Sequence, residues 1–137
     1  MNKKTILYIC FTLALLATAG SLFMSEVLGW IPCVLCWYQR IMIYPLVIIF
    51  GIAIARGVSN LEFIVWPMTG IGGLIAFYHN LLQYHIIPEK LGPCVNGVSC
   101  LTVYNLGFKF LTVPLLSLLM FLAIAILMIA YTRAKDE

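Results

Sequence analysis

The sequence predicts an all-α membrane protein, a bundle of four transmembrane helices forming one domain over residues 1–137. Three observations predict it. Only 9% of the residues are charged and 64% are hydrophobic, whereas a soluble domain carries roughly 25% charged residues. A mean hydropathy of +1.07 leaves more apolar surface than so short a chain can hide from water. The apolar residues also gather into four runs, approximately Ile6–Met24, Trp37–Ala55, Phe63–Leu82 and Phe110–Tyr131. Runs of about 20 residues match a hydrocarbon core of ~30 Å at ~1.5 Å rise per residue. Lipid offers the backbone no hydrogen bonds, so each run is expected to be helical.

The first run follows Lys3-Lys4 and holds Cys10, read as a small buried apolar residue. Lys3-Lys4, an apolar stretch and Ala17-x-Ala19 also match a cleavable signal peptide. The apolar character continues through Leu22-Phe23-Met24, past that site, which suits a span better. Ala17, Gly20 and Ser21 read as a packing face. A short loop from Ser25 to about Pro32 follows, with Trp30 suited to the membrane interface.

Pro32 is expected to set the turn into the second helix, which places Cys33 and Cys36 in or beside its first turn. The partial positive charge there favours the nucleophilic thiolate. Arg40 stands four residues after Cys36, on the same face and one turn further in. Pro45 is expected to kink or open the second helix. In the third run, Gly70, Gly72 and Gly73 read as packing, while His79 and Gln83 lie four apart near its external end. The segment from Tyr84 to Lys109 is the only sizeable polar stretch and holds Cys94 and Cys100. Asn96-Gly97 is a strong turn signal between them, so a small looped disulfide is sterically feasible.

Basic residues set the orientation. Lys3, Lys4, Arg56, Arg133 and Lys135 flank one side, against Arg40, Lys90 and Lys109 on the other. That excess puts both termini in the cytoplasm and two external loops, each with a cysteine pair, outside. The outside is also where disulfide chemistry persists. A net charge of +3 is too small and dispersed for nucleic-acid binding.

Four external cysteines admit three readings. They are two redox-active pairs, two permanent staples, or a four-cysteine zinc site. A C-x-x-C at a helix start forms a tight ring suited to redox switching, and the wide spacing of the second pair argues against zinc. An arginine at a span end, such as Arg40, ordinarily snorkels to the headgroups. Placed one turn below Cys36, however, it can stabilise a thiolate or donate to a carbonyl oxygen at the lipid boundary. His79 becomes a proton donor or quinone contact if it faces the helix of Arg40. His85, Glu89 and Lys90 read as solvated loop residues.

The segment Ile31-Pro32-Cys33-Val34-Leu35-Cys36-Trp37-Tyr38-Gln39-Arg40, then His79 to Gln83, then Gly92-Pro93-Cys94 through Cys100, resembles the bacterial DsbB family. These are quinone-linked, disulfide-generating membrane enzymes, and the resemblance is closest to the short BdbC-like form. It implies oxidation of a secreted or membrane-anchored thioredoxin-fold thiol-disulfide oxidase of DsbA or BdbD type. The electrons would pass to a membrane quinone, menaquinone or ubiquinone. Cys94 would form the mixed disulfide with the partner, and Cys100 would resolve it and exchange with Cys33. Cys36 would face the quinone ring, with Arg40 holding a quinone oxygen. Two departures stand out: only five residues separate Cys94 from Cys100, and Gln39 stands where the best-known members carry an acidic residue. Two other functions compete. In a vitamin K epoxide reductase-like enzyme the loop pair precedes the C-x-x-C, the reverse of the order here. A non-catalytic membrane adaptor would use its cysteines only as staples or zinc ligands.

Overall fold

A computed structural model describes residues 2–29, 34–58, 60–84, 86 and 113–134. Four helices account for nearly all of them: α1 (Lys3–Glu26), α2 (Val34–Arg56), α3 (Glu62–Gln83) and α4 (Val113–Arg133). The expected four-helix bundle is what the chain forms, with α1 against α2 and α4, and α3 against the same two.

The helix limits follow from local chemistry. Glu62 in the first turn of α3, and Arg56 and Arg133 in the last turns of α2 and α4, oppose the helix dipoles. Pro114, which has no N–H to donate, lies in the first turn described for α4, where proline is tolerated. α2 ends where Gly57 takes a left-handed φ of 64° and lets the Val58 N–H donate to the Ala53 carbonyl at 3.2 Å. α2 continues through Pro45 as a single helix.

By length and composition α1, α2 and α4 can cross a membrane. α3 has 22 residues, about 33 Å of helix, but is diluted by polar residues and glycines. Thr69, Gly72, His79, Asn80 and Gln83 among them are buried. They lie on one stripe with Val65 and Ala76, at the three-and-four spacing of a helix face turned inward. The lower hydropathy of α3 thus comes from groups that face protein, while Phe63, Leu74 and Phe77 stay exposed on its outer side.

One core runs the length of the bundle. It takes Ile6, Leu7, Cys10 and Ala14 from α1, Ile43, Leu46, Phe50 and Ala53 from α2, Val65 and Ala76 from α3, and Phe121, Ile124, Met128 and Tyr131 from α4. Cys10 is fully buried within it, as its apolar surroundings in sequence predict. The closest approach joins α3 to α4. A Cβ built on Gly72 would overlap the Phe121 ring, itself buried. Gly72→Val is therefore expected to destabilise the bundle by about 1–3 kcal/mol through overpacking. The loss should show as a lower midpoint of thermal unfolding in detergent, and Phe121→Ala in the same chain should recover part of it. Gly70, beside open space, should accept alanine without such a loss.

Candidate functional site

The end of the bundle formed by the start of α2, the end of α1 and the end of α3 gathers the chemistry. Cys36 occupies the first turn of α2, as the sequence predicts, and is half-buried. It packs on a small cluster of Leu35 with Leu82 of α3, joined by Ile75 and Tyr78. This sulfur therefore lies at the α2–α3 seam, in the first turn of α2.

One turn further on, Gln39 and Arg40 are both buried, at 5% and 9% exposure, and reach different neighbouring helices. Arg40 turns to α1. Its Nη2 donates to the Ser21 carbonyl at 3.0 Å. The guanidinium carbon also sits 5.1 Å from the centre of the Trp37 ring, within cation–π range. Tyr44, one turn below on the same face, donates from its hydroxyl to Ser21 Oγ at 3.3 Å. An arginine that merely snorkelled would reach for water. This one is stacked on an aromatic and tied to a neighbouring helix, so its position is fixed while most of its N–H fork remains for other acceptors.

Gln39 turns to α3. Its Nε2 lies 3.1 Å from Nδ1 of His79, whose ring is 1% exposed. His79 therefore faces the helix that carries Arg40, the condition on which its candidacy depended. Next to it, Asn80 donates from Nδ2 to the Ala76 carbonyl at 2.9 Å, and its buried Oδ1 has no hydrogen-bond partner among the described residues. Gln83, one turn beyond His79, is also buried. Burying His79, Asn80 and Gln83 together in an apolar bundle costs free energy, and inside a membrane such a set makes a candidate functional site.

Three predicted site residues thus come together: Cys36, Arg40 and His79. Cys33, Cys94 and Cys100 lie outside the described residues, as do Pro32 and nearly all of the loop after Tyr84. Tyr44 and Asn80 were not singled out from sequence, while Ser21 was read only as packing and Gln39 only as a departure from the family pattern. Ser21 serves through its main-chain carbonyl, which has no sequence signal. Tyr44 lies four residues after Arg40 and Gln39 just before it, so the helical spacing around Arg40 marks both. Asn80 is marked only by being polar inside a span.

The donor set suits a ligand with carbonyl oxygens at the lipid boundary. Arg40 supplies a fixed cationic fork and His79 an imidazole held beside Gln39. Exposed Trp37, Tyr38 and Ile41 supply the apolar approach from lipid.

Comparison with known proteins bears on what this site does. The family model described as "Disulfide bond formation protein DsbB" matches residues 3–131. The chain is 43% identical over 136 residues to disulfide bond formation protein C of Bacillus subtilis, covering 99% of each. It is 40% identical over 137 residues to a probable disulfide formation protein of Oceanobacillus iheyensis, covering 99% of this chain and 94% of that one. A probable disulfide formation protein of Metapseudomonas resinovorans is 40% identical over 133 residues, covering 93% of this chain and 90% of that one. No solved structure shows significant similarity.

Proposed function

We propose that this chain, which belongs to the DsbB family of disulfide bond formation proteins, reoxidises an extracytoplasmic thioredoxin-fold thiol oxidase and delivers the electrons to membrane quinone. That it is a membrane oxidoreductase of disulfide formation follows from the family. The partner, the acceptor and the residue roles are our reading. One observation carries it: Cys36 in the first turn of α2, with Arg40 one turn deeper and His79 brought against the same helix by Gln39.

The relay follows from the chemistry of sulfur. Thiol–disulfide exchange moves electrons only between touching sulfurs, so a pair near water and a pair near lipid are both needed. One thiolate of the reduced partner attacks Cys94 of the Cys94–Cys100 disulfide, forming a mixed disulfide and freeing the Cys100 thiolate. The partner's second thiolate then displaces Cys94, and the partner leaves oxidised, having given up two electrons and two protons. The Cys94 and Cys100 dithiol then reduces Cys33–Cys36 by the same exchange. When bound, the quinone accepts two electrons and two protons. Cys36 presents the reducing sulfur to it, and the Cys33–Cys36 disulfide re-forms. Arg40 holds an acceptor oxygen and balances negative charge gathering there, which its tie to Ser21 lets it do without reorganising. His79 holds a proton-bearing nitrogen in the same layer. The excess of Lys and Arg at the opposite end keeps both termini in the cytoplasm and the cysteines outside.

The test uses the full chain in lipid, with a reduced thioredoxin-fold C-x-x-C protein as donor and menaquinone or ubiquinone as acceptor. Quinone reduction, followed by absorbance, is expected to match donor thiols oxidised at one quinone per dithiol. Absence of turnover with both quinones and several donors, in folded protein, would sink the proposal.

A further inference from the structure

We infer that Asn80 is a binding residue, its side-chain carbonyl kept buried on the α4-facing side of α3 to accept a hydrogen bond from an O–H group, either a hydroxyl of the reduced acceptor or a bound water. Asn80 is 5% exposed. Its Nδ2 donates to the Ala76 carbonyl at 2.9 Å. A main-chain carbonyl can only accept, so the amide end facing it is the amino nitrogen, and the orientation is settled. Oδ1 is the other end, buried and with no hydrogen-bond partner among the described residues. A buried acceptor left bare carries the full cost of losing water, a cost that leucine of nearly the same size would not have.

The fold puts this oxygen where the neighbouring helix gives it no donor. The ties of Arg40 to Ser21, Gln39 to His79 and Lys3 to Tyr131 make successive helices alternate in direction, so α3 and α4 are antiparallel. A Cβ built on Gly73 would lie 3.8 Å from the Phe121 Cβ, so Gly73 faces α4. Asn80, seven residues further on, comes round to the same face after nearly two turns. Seven residues before Phe121 stands Pro114, buried and without an N–H to give. Ser117, the next polar residue of α4, makes no hydrogen bond to Oδ1. Asn80 also follows His79 directly, so the two differ by only ~1.5 Å in depth.

The oxygen selects its ligand by hydrogen bonding. A quinone carbonyl only accepts, and against Oδ1 it would set lone pair to lone pair. A hydroxyl donates. The first source rests on the functional reading above, in which reduction turns the acceptor's carbonyls into hydroxyls, so Asn80 holds the reduced form in preference to the oxidised one. The second source, water, does not depend on that reading.

Infrared spectroscopy of the full chain in lipid, with carbon-13 in the asparagine side-chain carbonyls, tests this directly. A carbonyl stretch falls in frequency when its oxygen accepts a hydrogen bond. Asn80→Leu removes one band and so assigns it, and Asn80→Asp does the same if the leucine variant fails to fold. Spectra are compared without quinone, with ubiquinone and, under anaerobic conditions, with ubiquinol. A band lowered by ubiquinol and not by ubiquinone assigns the site to the reduced acceptor. Asn80→Leu is then expected to bind ubiquinol about 10-fold more weakly and ubiquinone as before. A band already low without quinone, which rises when the lipid film is dried, assigns the site to water. A band high in all three samples overturns the inference, as does one that is low and unmoved by drying or one that ubiquinone lowers as much as ubiquinol. The spectra need no turnover, so a chain that reduces no quinone can still show the water. A negative result beside normal turnover removes only the role of Asn80.

Discussion

Serine in place of Cys36 is expected to stop quinone reduction completely while leaving one round of donor oxidation. Without the second sulfur, Cys33 has no partner with which to form a disulfide, and electrons arriving from the outer pair have nowhere to go. In the proposed relay a Cys94–Cys100 disulfide is untouched by the change. It can still accept two electrons from one donor dithiol. Purified Cys36→Ser protein mixed with excess reduced donor should therefore oxidise close to one donor per chain and then halt. Thiol counting with a chromogenic reagent measures the first quantity, and quinone absorbance the second. A hydroxyl replaces a thiol of nearly the same size at a half-buried position against Leu82, so helix content and thermal midpoint should change little. Continued multiple turnover by this variant would mean that Cys36 is not the sulfur next to the acceptor. A variant that oxidises no donor at all would place the block earlier, in the outer pair.

The same two helices show how far the sequence speaks and where it falls silent. Hydropathy located all four helices, and the chemistry of helix ends explains the differences. The helix described as α2 already includes Val34, ahead of Trp37 where the apolar run begins, and holds Cys36 in a helical turn. α1 begins at Lys3 and not near Ile6, since lysine is a good helix former whose stem lies along apolar surface. Lys3 indeed reaches over the Tyr131 ring, 5.3 Å away, which brings the start of α1 and the end of α4 to one end of the bundle. α3 is the instructive case. Averaged along the sequence, its polar residues lower the apolar signal. In the bundle they collect on an inward stripe, so what weakens the span by composition is what builds the site.

Local spacing made Cys36 and Arg40 legible, because residues four apart on a helix share a face whatever surrounds them. It could not say that Arg40 and Gln39 diverge to different neighbours. That depends on α2 standing between α1 and α3, a fact of tertiary packing. The partner of Arg40 is a main-chain carbonyl, and every residue carries one of those. The partner of His79 is a glutamine 40 positions away, and only the antiparallel register of two helices brings them together.

Arg40 carries the second large prediction. Replacing it with methionine removes the fixed cationic fork and should lower the quinone-dependent kcat/KM about 100-fold, the scale of one charge-assisted hydrogen bond of ~1.5–3 kcal/mol. Arg40→Lys keeps the charge but loses the planar geometry, the stack on Trp37 and the aimed Nη2–H toward Ser21. It should recover part of the loss, leaving about a 10-fold defect seen mainly as a raised KM for quinone. Neither change touches the exchange between the partner and the outer pair, so a single round of donor oxidation should keep its wild-type rate in stopped-flow measurements. That separation guards against a trivial explanation. Arg40 also ties α2 to α1 through the Ser21 carbonyl, and a variant that only loosened the bundle would slow every step together. Tyr44→Phe supplies the control, since it removes the neighbouring contact of α2 with Ser21 while leaving the guanidinium in place. A Tyr44→Phe protein with normal quinone kinetics, beside an Arg40→Lys protein with a selective quinone defect, would assign the effect to the guanidinium. Equal defects in both would assign it to the helix contact and remove Arg40 from the acceptor site.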